Sequence, residues 1–201
     1  GNWVTVAISD ERNNIWFGHR GGGISMYNPG TGVMKTVLGS AAVPGAAKPS
    51  VTSACKAGNG KLWFGTEGEG LLEADATKPD HVHRIPGYNG NPDIGALLRS
   101  AAGDIWIGTG YGLMLYTAAN KTFPAVSVPE LPQSHITAIM EDHAGNLWIG
   151  TKDSGLVILP DRNPASASVY AAPEGIPCNN ITAIYEDAER NVWVGTDGGG
   201  I

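Results

Sequence analysis

Residues 136–151 read Ile-Thr-Ala-Ile-Met-Glu-Asp-His-Ala-Gly-Asn-Leu-Trp-Ile-Gly-Thr, and residues 181–196 read Ile-Thr-Ala-Ile-Tyr-Glu-Asp-Ala-Glu-Arg-Asn-Val-Trp-Val-Gly-Thr. Weaker copies of this stretch begin at Val4, Val51 and Ile94. The tryptophans of the five copies are spaced by 47, 43, 42 and 45 residues and are Trp16, Trp63, Trp106, Trp148 and Trp193. A repeat of about 40–50 residues is typical of solenoids and propellers. The sequence therefore predicts five copies of one structural unit.

Each copy has the pattern of four short antiparallel strands, named A to D here. In the fourth copy the predicted strands are residues 136–141, 147–151, 156–159 and approximately 167–170. Gly and Pro are abundant, with 29 and 13 residues, which favours short strands and tight turns over long helices. Four short strands in a repeat of this length describe a propeller blade, whereas a β-helix has shorter coils and a sandwich does not repeat its sequence. The predicted fold class is all-β, a β-propeller of four-stranded antiparallel blades.

Strand B carries a tryptophan and a glycine two residues apart. Side chains alternate between the two faces of a strand, so Trp148 and Gly150 share one face while Leu147 and Ile149 share the other. An indole beside a residue without a side chain lets a neighbouring sheet approach closely. We therefore expect all five repeat tryptophans to pack between adjacent blades.

The repeat divides the chain into blades within a single propeller fragment. The predicted blades are residues 1–49, 50–92, 93–134, 135–179 and, in part, 180–201. The fifth copy contains strands A and B only, and no extra strand precedes the first copy. We expect an incomplete ring of four full blades and part of a fifth, with both chain ends interrupting a longer ring.

Composition and spacing argue against several classes of protein. The net charge is −6, from 13 basic and 19 acidic residues without a basic run, which argues against a nucleic-acid partner. No run resembles a signal peptide or a membrane span, so any membrane attachment is expected to lie in flanking segments. Cys55 and Cys178 occupy unrelated repeat positions and are expected to be free thiols. His81 and His83 lack further ligands at a metal-binding spacing, so no metal or cofactor is predicted.

The repeat resembles a known family. The pattern Ile-Thr-Ala-Ile-x-Glu-Asp-x-x-Gly-Asn-Leu-Trp-Ile-Gly-Thr, with Gly-Leu a few residues later, is similar to the two-component regulator propeller repeat. Residues 174–177, Glu-Gly-Ile-Pro, resemble the link between blades in that family. Departures are local, such as His19 in place of Thr, Lys56-Ala57 in place of Glu-Asp, and Arg190 in place of the turn Gly.

This resemblance implies a location and a role. It implies the periplasmic sensor region of a bacterial histidine kinase, hybrid two-component regulator or diguanylate cyclase, in a parent receptor expected to be a homodimer. The ligands implied are small and polar, with oligosaccharides as the leading class. The role implied for this chain is ligand sensing without catalysis.

Candidate ligand-binding residues follow from fold analogy, because propellers usually bind ligands at the face formed by the B–C and D–A loops. Side chains there differ between copies while the framework repeats. Trp3, just before strand A, could stack on a sugar ring or cover a blade edge. The candidates are Trp3, His19, Arg20, Glu67, Glu69, Tyr111, Lys152, Asp153 and Asp197. Two alternative functions stay open at this point: a propeller lyase or hydrolase, and a protein-interaction scaffold.

Overall fold

Short apolar segments separated by glycine- and aspartate-rich turns pair with their neighbours in chain order. A computed structural model describes residues 3–38, 49–131 and 133–201. It contains five antiparallel sheets, of which four have four strands and the last has two. The fold is a β-propeller with an incomplete ring, as predicted. Residues 39–48, at the end of the first predicted blade, lie outside the described residues, and the predicted blade boundaries stay predictions.

The strands follow one another within each sheet. Blade 1 comprises β1 (Val4–Ser9), β2 (Ile15–His19), β3 (Gly23–Asn28) and β4 (Val33–Leu38). Blade 2 comprises β5 (Ser50–Gly58), β6 (Lys61–Glu67), β7 (Leu71–Asp75) and β8 (Lys78–Arg84). Blade 3 comprises β9 (Ile94–Arg99), β10 (Ile105–Thr109), β11 (Gly112–Tyr116) and β12 (Ala125–Val126). Blade 4 comprises β13 (Ile136–Glu141), β14 (Leu147–Thr151), β15 (Leu156–Leu159) and β16 (Ser168–Tyr170), and blade 5 comprises β17 (Ile181–Glu186) and β18 (Val192–Thr196).

Two short 3-10 turns, Pro160–Arg162 and Pro164–Ser166, join the third and fourth strands of blade 4. Among residues 3–38, 49–131 and 133–201, no helix is long and apolar enough to cross a bilayer. Both cysteines are free, as predicted. Burial of the Cys55 thiol raises its pKa to about 12.

Neighbouring blades meet where strand B of one blade packs on strand A of the next. A Cβ added to Gly18 would lie 2.4 Å from Val51 Cγ1, and one added to Gly65 would lie 2.5 Å from Ile94 Cγ2. The same distance is 2.4 Å from Gly108 to Ile136 and 2.5 Å from Gly150 to Ile181. Each of these glycines therefore forms a seat, defined here as the space that an aliphatic side chain near the start of the next strand A fills. The predicted close approach of the sheets is confirmed.

A threonine beside three of the four seats ties neighbouring blades together. Thr5 Oγ1 donates to Val51 O at 2.6 Å, and Thr137 Oγ1 donates to Ile181 O at 2.5 Å. Thr52 Oγ1 bonds to Ile94 O in the same way. In blade 3 this position is Gly95, where an added Cβ would lie 1.9 Å from Ile136 O. The backbones of blades 3 and 4 thus approach too closely for any side chain at residue 95.

The tryptophans on strand B are buried to different extents. Trp16 is fully buried and Trp63 and Trp106 are nearly so, as the repeat predicts. Trp148 is half-buried and Trp193 is 52% exposed, so the expectation that all five pack between blades is wrong for Trp193. The physical reason is the number of strands that cover each indole. Trp148 is covered by blade 5, which has only two strands. Trp193 belongs to blade 5, and no further described sheet packs on that blade to cover it.

An aspartate in the A–B turn holds the tryptophan of its own blade. Asp10 Oδ2 accepts the indole N–H of Trp16 at 2.8 Å, while Asp10 Oδ1 accepts the backbone N–H of Asn14 at 2.9 Å. Asp142 and Asp187 accept the indoles of Trp148 and Trp193 at 2.9 and 2.7 Å. In blade 2, where Lys56-Ala57 replace Glu-Asp, the indole of Trp63 bonds instead to Glu73 Oε2 at 2.9 Å. The repeated Asp therefore joins the turn to the blade core.

Acid is expected to weaken this link. Burial of the Asp10 carboxylate opposes its ionisation, but bonds from Trp16, Asn14 and backbone amides outweigh burial, so its pKa lies below the ordinary 3.8. The pKa of Asp142 is lowered for the same reasons. A group whose pKa is depressed by folding stabilises the folded state above its unfolded pKa, and that contribution disappears as pH falls through the folded pKa. The protein should therefore lose stability as pH drops below 3.8.

The change that tests this link is Asp10→Asn. We expect it to lower the free energy of unfolding at neutral pH by about 1.5–3 kcal/mol, the usual value of hydrogen bonds to a charged group. We also expect the variant to lose less stability than wild type between about pH 5 and pH 2. Urea titrations followed by circular dichroism at several pH values measure both effects. Glu174→Gln, which neutralises an exposed carboxylate, is the control. An Asp10→Asn variant with the wild-type pH profile contradicts the assignment.

Candidate ligand-binding face

Two sets of loop positions lie side by side at one end of the blades. The backbone N–H of Arg20 donates to Trp3 O at 2.9 Å, and that of Lys152 donates to His135 O at 2.9 Å. Glu67 pairs with Ser50 in the sheet register. The lead-in positions, just before or at the start of strand A, are Trp3, Ser50, Asp93, His135 and Asn180. The turn positions, which follow strand B, are Arg20, Glu67, Gly110, Lys152 and Asp197.

The B–C and D–A loops share this face because backbone hydrogen bonds join them. Gly23 N donates to Pro49 O at 3.1 Å, and Gly70 N donates to Pro92 O at 2.9 Å. Gly155 N donates to Asn179 O at 3.0 Å. Each bond connects the B–C loop of one blade to the loop that leads into the next blade. These bonds make neighbours in space of residues that lie 22 to 26 positions apart in the sequence.

A cavity of about 340 Å³ opens on this face. Val51 and Ile94 border it but are buried, with their side chains in the seats of Gly18 and Gly65, and Thr5 and Thr52 lie beside them. Arg20, Ser50, Glu67, Asp93 and His135 supply its remaining polar lining. These residues come from blades 1 to 4, so the cavity lies where the innermost strands of four blades converge. Its volume is in the range of about 300–1,000 Å³ usual for small-molecule sites.

Three of the predicted residues meet at or beside this cavity. Arg20 and Glu67 line it. Trp3, which is 70% exposed, lies next to Arg20, whose guanidinium carbon is 5.9 Å from the centroid of the indole ring. That distance is within the range of a cation–π contact. Trp3 therefore presents an open aromatic surface at the edge of the cavity.

The other predicted residues lie on the face but outside the cavity lining. Glu69 forms an ion pair with Arg84 and borders a separate depression of about 170 Å³. His19 Nε2 is 2.7 Å from Ser25 Oγ. Asp153 accepts a hydrogen bond from Ser134, Asp197 accepts one from Asn180, and Lys152 and Tyr111 are exposed.

Asp93 and His135 line the cavity, although the sequence did not single them out as candidates. Both occupy the position of Trp3 in their own blades, and both are half-buried. An added Cβ at Gly95 would lie 2.9 Å from His135 Nε2, so this glycine also leaves room for the imidazole ring. The signal available in the sequence was the recurrence of polar residues thirteen positions before the repeat tryptophans.

The arrangement of His, Cys, Asp and Glu side chains bears on whether a metal ion could bind. Within the part of the chain that the structure describes, no three His, Cys, Asp or Glu side chains are grouped as a metal site requires. His81 and His83 lie on the outer strand β8 and are exposed. The nearest carboxylate to His83 is that of Glu73, at 3.7 Å.

The two most regular repeats match a family model. Residues 130–153 and 175–198 match the family described as Two component regulator propeller. The chain carries two-component regulator propeller repeats. These matches include strands A and B of blades 4 and 5 and the turns between them, and so they contain the seat glycine Gly150 and the turn residues Asp142 and Asp187. The family resemblance drawn from the sequence is confirmed. Among curated protein sequences, none matches this propeller.

Solved structures share the fold over nearly the whole chain. The extracellular domain of a hybrid two component system from B. thetaiotaomicron is 26% identical, with a TM-score of 0.79, and the match covers 99% of this chain and 26% of that one. PorZ, a surface component of the type-IX secretion system of Porphyromonas gingivalis, is 20% identical with a TM-score of 0.74, over 98% of this chain and 31% of PorZ. The propeller thus spans between a quarter and a third of these two relatives.

A third similar structure is an enzyme. Virginiamycin B lyase from Staphylococcus aureus is 15% identical with a TM-score of 0.70, and the match covers 94% of this chain and 61% of the lyase. At that identity the similarity shows the propeller fold alone. The same fold therefore supports both signalling proteins and a lyase, and the side chains of the site must discriminate between them.

Proposed function

We propose that this propeller is a ligand-sensing, non-enzymatic part of the extracytoplasmic region of a bacterial membrane signalling receptor. The similarity to the extracellular domain of a hybrid two component system supports the location and the role. The observation that carries the proposal is the cavity, whose polar side chains differ from blade to blade while the seats and the Asp–Trp bonds repeat. A small polar ligand, with oligosaccharides as the leading class, binds in this cavity.

The geometry fits a polar ligand with an apolar patch, as sugars have. Arg20, Glu67 and Asp93 provide hydrogen-bonding groups around the cavity. The exposed indole of Trp3 borders the cavity and offers a surface for stacking. A sensor needs only a difference in affinity between two receptor states, so a ligand that binds at micromolar to millimolar concentration still signals. In the parent receptor, expected to be a homodimer, that difference passes to a kinase or cyclase output.

Calorimetric titration with a panel of oligosaccharides tests the proposed function. We expect one or more to bind, and we expect Arg20→Ala to weaken binding at least several-fold because it removes a lining group and its contact with Trp3. Tyr111→Ala, on the same face but outside the cavity, reports how far the binding surface extends. Glu189→Gln, in the exposed A–B turn of blade 5, is the control. If a ligand binds and neither Arg20→Ala nor Tyr111→Ala weakens its binding, the assignment of the binding site to this face is wrong.

The lyase alternative makes a different prediction. The similar lyase from Staphylococcus aureus has been crystallised with quinupristin in a catalytically inactive form. Incubation of this propeller with quinupristin, followed by mass spectrometry, should leave the compound intact if the role is sensing. Conversion of quinupristin contradicts the non-enzymatic part of the proposal.

A further inference from the structure

Three charged side chains line the cavity without a hydrogen-bond or ion-pair partner among the described residues. The side chains of Arg20, Glu67 and Asp93 make no hydrogen bond or ion pair with other residues in the described ranges 3–38, 49–131 and 133–201. Nearby carboxylates on the same face differ in this respect. Glu69 pairs with Arg84, and Asp153 accepts a hydrogen bond from Ser134. Three charged side chains without such a partner therefore line the cavity, and the exposed Lys152 lies on the same face outside it.

These charges are arranged by sign around the cavity. The innermost strands contact one another in chain order, from β1 to β5 to β9 to β13. Arg20 belongs to blade 1, Glu67 to blade 2 and Asp93 to the lead-in of blade 3. The cationic group is thus at the blade 1 side, and the two carboxylates follow toward blade 3. His135, at the lead-in of blade 4, adds a hydrogen-bonding imidazole beyond them.

The geometry points to a zwitterionic ligand, with an ammonium group beside Glu67 and Asp93 and an acidic group beside Arg20. This inference rests on the proposed function and names the chemistry of its ligand. Asp93 is half-buried, and a partly desolvated carboxylate without a partner is unfavourable unless a ligand supplies one. A neutral ligand leaves all three charges unpaired, whereas a purely anionic ligand meets two carboxylates of its own sign. A ligand with both groups pairs charges at each side of the cavity.

Two sources share this chemistry, a saccharide with amino and carboxyl groups and a short peptide. The cavity of about 340 Å³ is large enough for either at the size of two units. The saccharide probe is a disaccharide of glucosamine and glucuronic acid, compared with its N-acetylated form and its methyl ester. The peptide probe is alanyl-alanine, compared with its N-acetylated form and its C-terminal amide. A neutral disaccharide completes the panel.

Calorimetry on the 201-residue chain at neutral pH gives the affinities. We expect a zwitterionic probe to bind at least tenfold more tightly than both of its blocked forms. If the disaccharide shows this preference, the ligand is a saccharide, and if alanyl-alanine shows it, the ligand is a peptide. Arg20→Gln should make the zwitterionic probe bind no more tightly than its methyl ester or C-terminal amide. Asp93→Asn should reduce the preference over the N-acetylated form. Glu189→Gln should change neither preference.

The outcomes separate this inference from the proposed function. If the neutral disaccharide or a blocked form binds as well as the zwitterion, and Arg20→Ala weakens it, the cavity is a ligand site but its ligand is not zwitterionic. If the N-acetylated probes bind best, the assignment of the carboxylates is wrong. If no probe and no oligosaccharide binds, both proposals fall.

Discussion

Replacing Trp16 by Ala is expected to lower the free energy of unfolding by about 3–5 kcal/mol, the usual cost of emptying a large buried aromatic site. Trp16 is fully buried, packs against Phe64 of the next blade at a centroid distance of 6.3 Å, and donates to Asp10. The substitution therefore opens a cavity between two blades and removes a donor from a buried carboxylate. Chemical denaturation followed by circular dichroism measures the loss.

The same motif supplies the control. Trp193 occupies the equivalent position in blade 5 and keeps the bond to its own aspartate, but it is 52% exposed. Trp193→Ala should therefore cost about 1 kcal/mol or less. Equal losses for the two variants would mean that the indole stabilises its own turn rather than the contact between blades.

Restoring the repeat residue at position 95 is expected to destabilise the protein. Gly95→Thr places a Cβ where the carbonyl oxygen of Ile136 lies only 1.9 Å away, and a backbone atom cannot move aside without separating blades 3 and 4. We expect a loss of about 3 kcal/mol, at the upper end for overpacking. A consensus argument predicts the opposite sign, because Thr stands here in the other four blades. Thermal and chemical denaturation of the variant discriminate between these expectations.

Gly195→Ala is the matched control for added volume. The nearest atom to an added Cβ at Gly195 is Thr182 Oγ1, at 3.4 Å, so this substitution should be tolerated. A Gly95→Thr variant as stable as wild type would show that blades 3 and 4 have room to separate.

The fold could be predicted because its main interaction recurs in the sequence. Trp148 and Gly150 alternate with aliphatic residues, and this local pattern alone predicts which strand face meets the next blade. The bond from Trp63 to Glu73 could not be predicted, because it crosses between strands and replaces the repeat aspartate. Gly95 illustrates the same limit: the sequence shows only that Thr is missing, whereas the close approach to Ile136 depends on how two blades pack.

The candidate site was predicted less completely than the fold. Arg20 and Glu67 were chosen from their loops and do line the cavity, but Glu69 was chosen on the same grounds and forms an ion pair with Arg84. That pair joins residues fifteen positions apart, which no local pattern reveals. A prediction based on the B–C loops does not include Asp93 and His135. These two residues occupy the same position of the repeat as Trp3, just before strand A.

The residues that pack the blades together and the residues that vary on the loop face occupy different positions of the repeat, which affects how the sequence can evolve. Each blade contributes one lead-in and one turn position to the same face, seventeen residues apart in every copy. The seat glycines and the threonines that tie the blades lie on strands A and B, just inside those positions. Point substitutions at the exposed ends can therefore alter the recognised molecule while the packing between blades is inherited unchanged. The repeat thus combines a constant packing frame with ten variable loop positions, and duplication of a blade adds two more.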